Sequence, residues 1–191
     1  MGNGKGWDAI REVTGAAERE QVFRFRYRIY VEEMARVQHY ADHAARRIED
    51  PLDDGAVNLA AFDGQDVVGV VRINYPTSSS LGAYEDLYRM RAVSGDDHPD
   101  ATFIVTRLMI EPALRKGLLG YRLCLACYEH GLRNGARTAF IDCNDHLIPF
   151  FQGLGFHAYM GTAHHDEYGE VLPMKLDMTD EANLASVRSP F

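Results

Sequence analysis

Apolar positions at residues 57–62 and 67–75 come in two short β-branched runs parted by Asp63-Gly64. That pattern predicts two antiparallel strands joined by a tight turn. Upstream, Val22, Phe25 and Ile29 recur at helical spacing, so a strand over 7–13 leads through an N-cap at Thr14 into a helix ending near Met34. Residues 35–54 turn polar and read as a long loop, with or without a short helix; such a segment inside a compact domain is more often functional than idle. Ser, Gly and Asp clusters fill 77–100 around an amphipathic piece at 84–90, and residues 102–110 read as a buried strand closed by Glu111-Pro112.

A basic, glycine-containing turn at 115–120 then opens a long helix. In it Leu118, Tyr121, Leu125, Tyr128 and Leu132 form the apolar stripe expected to face the core. A strand over 138–143, a short helix capped by Asp145 and stopped by Gly153-Leu154-Gly155, and closing strands at 156–160 and 171–177 complete the order. The sum is an α/β (α+β) chain, read as one domain over 1–191 with a glycine-rich tail at 1–6.

Composition narrows the partners. In 191 residues, 28 acids against 20 bases give a formal charge of −8, which repels a phosphate backbone and excludes nucleic acid as an expected ligand. Cys124, Cys127 and Cys143 are an odd set with no regular framework, which points to a reducing cytoplasm. The Cys124-x-x-Cys127 spacing falls within the long helix, not at a strand-to-helix junction, and reads as buried small hydrophobes. No apolar run approaches a membrane span, and the N-terminus lacks the apolar centre of a secretion signal. His164-His165-Asp166-Glu167 are too close in sequence to converge on one ion, and His39 and His43 lack a third ligand, so no metal is expected.

The stretch with most chemistry is 102–132: strand, glycine turn, long helix. Unpaired N–H groups at a helix start attract phosphate, Arg115 and Lys116 add formal charge, and Gly117 and Gly120 clear the approach. Here the chain resembles the GNAT acyltransferase superfamily, whose pyrophosphate loop has the form Arg/Gln-x-x-Gly-x-Gly/Ala. The residues are Arg115-Lys116-Gly117-Leu118-Leu119-Gly120, with the middle glycine one residue early. Further on, Ile141-Asp142-Cys143-Asn144 and Phe150-Phe151-Gln152-Gly153-Leu154-Gly155-Phe156 match the strand, Asn and aromatic-x-x-x-Gly-Phe that follow in that family. The resemblance implies a mixed, mostly antiparallel central sheet flanked by helices. It also implies that Leu108, Met109 and Ile110 offer backbone groups to the pantetheine of an acyl-CoA or acyl carrier protein, with Asn144 on the cofactor side. Many relatives place a Tyr general acid where this chain has Phe151; Cys143, His146 and Tyr121 are the nearby substitutes.

A second resemblance, to the autoinducer-synthase and N-acyl amino acid synthase branch, rests on Arg26-x-x-x-Tyr30, Glu49-Asp50-Pro51-Leu52-Asp53-Asp54, Arg72 and Arg107. It implies Glu49, Asp50, Asp53 and Arg107 as catalytic, and Arg26, Tyr30 and Arg72 as substrate-binding. An amine arrives protonated, so adjacent carboxylates of raised pKa would bind it and accept its proton. Asp50 and Asp53 share a side if their turn is helical. The expected function is transfer of an acyl group from a pantetheine thioester to a small, amino-acid-like amine. A homoserine lactone synthase consuming S-adenosylmethionine and a non-catalytic thioester-binding module are the alternatives. The basic excess over 111–137, including Arg133 and Arg137 far from the loop, suggests an acyl carrier protein as the donor's vehicle.

Overall fold

The computed structural model describes residues 6–191. Most of the 1–6 tail therefore lies outside the described residues. Strand β1 (Ala9–Glu12) precedes helix α1 (Ala16–Tyr27), which opens at Gly15, one residue after the expected cap, and runs into a π-helical turn, Arg28–Glu33. The polar segment contains a small hairpin, β2 (Ala41–Asp42) and β3 (Arg47–Ile48), and then a 3-10 turn, Pro51–Asp53. The strands β4 (Val57–Asp63) and β5 (Asp66–Asn74) are joined by a two-residue turn at Gly64 and Gln65, with Asp63 paired to Asp66. Short helices α2 (Tyr84–Leu87) and α3 (Met90–Ser94) lead to β6 (Thr102–Ile110), α4 (Leu119–Arg133) and β7 (Thr138–Cys143). The chain continues through α5 (Ile148–Gln152), β8 (His157–Ala158), β9 (Ala163–His165), β10 (Gly169–Asp177) and α6 (Glu181–Ser186).

The main sheet runs β1-β4-β5-β6-β7-β10-β8, with β9 added to β10. Every pairing in it is antiparallel except β6 with β7. That one parallel step follows from the connection, because α4 carries the chain across one face before β7 begins. Alternation along the strands divides the apolar residues between faces. Leu59, Ala61, Val71 and Ile73 face α4, whereas Ala60, Phe62 and Val70 join Val22 and Phe25 of α1 and Ile29 of the π-helical turn.

The docking of α4 differs from the expected stripe. Leu118, Tyr121 and Leu132 are exposed, and the buried face is Leu119, Leu123, Cys127 and Gly131. A Cβ on Gly69 would lie 3.1 Å from Leu119 and Leu123, so this sheet position has no side chain where the helix sits. The small Cys127 and Gly131 on the same helical row let the backbone approach closely, and periodicity of large residues alone points to the wrong side. Both thiols are buried, and burial pushes Cys124 up to about 12, so the Cys-x-x-Cys is packing and not a redox pair. Among the described residues no helix is long and apolar enough to cross a membrane.

Candidate active site

The parallel pairing of β6 and β7 ends at Ile104 and Phe140, although β6 continues to Ile110 and β7 to Cys143. Past that point the strands part, and a cavity of about 590 Å³ occupies the gap. Strand β6 is also bulged. Val70 pairs with Met109 and Arg72 with Thr106, so β6 carries one residue more than β5 between these pairs. Arg107 lies in the bulge with a φ of 58°, a left-handed conformation that costs a bulky residue. Before it Phe103 and Val105 pack toward α4; after it Leu108 and Ile110 do. The extra residue turns both Thr106 and Arg107 toward the α1 face.

There the signature residues meet. Arg26 donates to both oxygens of Asp53 at 2.8 and 2.7 Å and to Asn58 at 2.7 Å. Arg72 donates to Thr106 at 3.0 Å, to Asp50 at 2.6 Å and to Asp53 at 3.2 Å. Arg107 donates to Asp50 at 2.6 Å and to Gln38 at 2.7 Å. The two acids are presented together by their own turn: Asp50 caps Leu52 N–H, and Asp53 accepts from Asp50 N–H at 2.9 Å. That turn is helical, as the three-residue spacing requires.

In this network the acids are paired with arginines. Burial would raise the Asp50 carboxyl, but the Arg72 and Arg107 guanidiniums outweigh it and hold Asp50 at about 2. A carboxylate so stabilised is a poor base. Neither Asp50 nor Asp53 lines the cavity, and Glu49 is exposed with its carboxylate on Arg47 at 2.5 Å. Arg26 and Arg72, expected to bind substrate, are 0% and 1% exposed and face carboxylates, with burial lowering Arg26 to about 10. Of this second motif only Tyr30 and Arg107 reach the cavity wall, and the Arg107 guanidinium lies 5.3 Å from the Tyr30 ring centroid.

Most residues expected to hold the donor come together in the fold. Leu108, Met109, Ile110, Arg115, Lys116, Gly117, Gly120, Asn144 and Phe151 all line the cavity. Leu118 points outward and Leu119 inward to the sheet, so these two contribute only backbone at the uncapped start of α4. Gly120 is needed for packing: a Cβ there would stand 3.3 Å from Ile110 and 3.6 Å from Phe150. Arg115 grips Glu33 with both terminal nitrogens at 2.5 and 2.7 Å and donates to the Ile110 carbonyl at 3.0 Å. It staples the loop to the π-helical turn. Lys116 makes no ion pair among the described residues.

Sequence reasoning does not single out the other end of the cavity. Asp142 is the one carboxylate among the described residues on its wall. Burial pushes the Asp142 carboxyl up, and His165 offsets this only in part. Beside it, His165 Nε2 and the Tyr84 hydroxyl are 3.0 Å apart, His165 stacks on Tyr168 at 4.5 Å, and Arg36 lies 5.7 Å from the Tyr168 ring centroid. One signal for Asp142 is visible in the sequence: an acid inside an apolar strand, on the same face as Phe140. Arg36, His165 and Tyr168 come from polar stretches that carry no periodicity. The third end is apolar, closed by Phe103, Cys127, Leu176, Met178 and a Tyr128–Phe191 stack at 4.5 Å.

A gap between diverging parallel strands, a basic helix start on one side and a mixed polar pocket on the other define a GNAT-type acyltransferase. The chain belongs to the N-acyl amino acid synthase FeeM family, whose profile matches residues 21–177. No curated protein sequence matches it. Among solved structures it is similar to BjaI, a CoA-dependent acyl-homoserine lactone synthase, at 24% identity and a TM-score of 0.73, covering 97% of this chain and 92% of that one. It is similar to FeeM, an N-acyl amino acid synthase from uncultured soil microbes, at 16% identity and a TM-score of 0.69, with 92% and 93% covered. Escherichia coli ElaA shares the fold at 15% identity and a TM-score of 0.61, with 88% and 99% covered.

Proposed function

We propose that the protein transfers a fatty acyl group from a coenzyme A thioester to the amine of an amino-acid-like acceptor, by direct attack with both substrates bound. The observation that carries this reading is the single cavity in the β6–β7 gap, with Lys116 at the donor mouth and Arg36 in the opposite pocket. Beyond Ile104 the edge of β6 has no strand partner in β7, so its backbone groups are placed to hold pantetheine amides and to polarise the thioester carbonyl. The apolar end would take the acyl chain. Arg36 would hold the acceptor's carboxylate, since Arg107 already serves Asp50 and Gln38. Phe151 has no proton to give; Tyr121, on the first turn of α4 and 4.9 Å from the Phe150 ring, would supply it to the departing thiolate.

Coenzyme A is the favoured vehicle because the distal arginines are engaged: Arg137 holds Asp97 at 3.1 Å and Arg133 lies 3.9 Å from Glu129. The test is to supply matched acyl-coenzyme A and acyl-carrier donors with a panel of amino acids and S-adenosylmethionine, and to identify products by mass spectrometry. N-acyl amino acid and free thiol are expected, with donor affinity weakened about tenfold in Lys116→Ala by loss of one charge contact. A lactone from S-adenosylmethionine alone, or bound donor with no amide from any amine, would overturn the reading. Turnover confined to the carrier form would reassign the donor.

A further inference from the structure

An acyl transfer to an amine must dispose of protons, and the acids of the signature network are withdrawn from that task. Asp50 and Asp53 lie behind three guanidiniums and off the cavity wall. The other charged residues on the cavity wall, Arg36, Arg107, Arg115 and Lys116, are cations, and Asp142 stands alone among the described residues as an acid upon it. Its strand position is two residues beyond the last β6–β7 pair, where the gap begins. Phe140, on the same face, packs with Tyr84, Tyr88 and Tyr159, so Asp142 is on the acceptor side, across the sheet from the Ile141 and Cys143 face that packs toward α4. Asp142 Oδ2 and the Tyr88 hydroxyl are buried beside one another, and that hydroxyl is the hydrogen-bonding neighbour of the carboxylate. A carboxylate on a cavity wall with a single neutral hydroxyl as hydrogen-bonding neighbour keeps capacity for a cationic donor from a ligand.

Resting on the acyltransferase reading above, we propose that Asp142 binds the acceptor's ammonium group and takes its proton, making it the catalytic base of this site. The carboxylate removes one proton from R–NH3⁺. The free amine then attacks the thioester carbon, forming the C–N bond; the C–S bond breaks with its electron pair on sulfur, and the second nitrogen proton ends on the thiolate. Amide and free thiol result, and the proton held by Asp142 returns to solvent. The groups facing Asp142 are His165 from β9, Tyr84 and Tyr88 from the α2 region, Tyr159 after β8, and Cys143 on its own strand. Burial makes the carboxylate a stronger base than one in water, and it works only when ionised, so turnover falls on the acid side as pH drops through its pKa.

The experiment compares wild type, Asp142→Asn and Tyr88→Phe with a medium-chain acyl-coenzyme A as donor. Asp142→Asn should keep donor affinity, lose about a hundredfold or more in turnover with an amino acid, and lose the acid limb of the pH profile. With hydroxylamine, which is uncharged at neutral pH and needs no base to free it, the same variant should stay within a few-fold of wild type. Tyr88→Phe removes the neighbouring hydroxyl that favours the ionised carboxylate, so its acid limb should move to higher pH. An unchanged limb in both variants, or hydroxylamine and amino acid turnover falling together in Asp142→Asn, would overturn the assignment. Should wild type bind the donor yet acylate neither nucleophile, the acyltransferase reading itself fails, whatever the variants do.

Discussion

Arg107 Nη2 donates to Asp50 Oδ2 at 2.6 Å across 57 residues of sequence, and this contact ties the strained bulge of β6 to the turn that precedes β4. Strain at one residue is held in place by a buried pair elsewhere. The signature residues thus fix the shape of β6, and so the gap beside it, without touching the cavity themselves, Tyr30 and Arg107 excepted.

Asp50→Asn should therefore act first on stability. It leaves Arg72 and Arg107 facing a neutral amide in a buried setting, and removing one charge from such a pair costs about 3 kcal/mol or more. Urea unfolding of wild type and variant measures this. Wild-type stability with turnover alone reduced would return Asp50 to the chemistry.

The same pair sets an acid limit. Asp50 titrates at about 2 in the folded chain, below an unfolded carboxyl near ~3.9. Because the folded value is the lower one, the unfolded chain binds the proton first. The stabilisation is complete above the unfolded value and drains as pH falls from about 4 to about 2, on the order of 2 kcal/mol in total. Unfolding midpoints measured across that window should slope steeply in wild type and less in Asp50→Asn.

Arg36→Ala tests recognition of the acceptor's carboxylate. The expected result is a rise of tenfold or more, order of magnitude, in KM for an amino acid and a smaller change for the corresponding amine lacking the carboxylate. Equal effects on both nucleophiles would assign Arg36 to support of Tyr168, over whose ring it lies.

Phe191 and Tyr128 stack with an interplanar angle of 7° at the apolar end of the cavity. Phe191→Ala opens that end, so preference should shift toward longer acyl chains while turnover with short ones is kept. Competition between acyl-coenzyme A donors of graded length reads the shift. An unaltered length profile would place the chain elsewhere.

Most of the strand order and the donor loop are legible in the residues. Asp63-Gly64 fixes the β4–β5 turn, and the run over 102–110 followed by Arg115 to Gly120 marks strand, anion loop and helix, because turn chemistry and local periodicity are short-range properties. The spacing of Asp50 and Asp53 likewise foretells that they share one side of a helical turn. What tertiary structure alone decides is the electrostatic company each group keeps. Two acids three apart look like a base of raised pKa until three arginines from α1, β5 and β6 converge on the pair and hold the Asp50 carboxyl low. Asp142 looks like an ordinary strand residue until β6 and β7 part and leave it half-buried on a cavity wall beside His165 and Tyr88. Ionisation depends on charges and burial within a few ångströms, and those neighbours come from segments far apart in the chain.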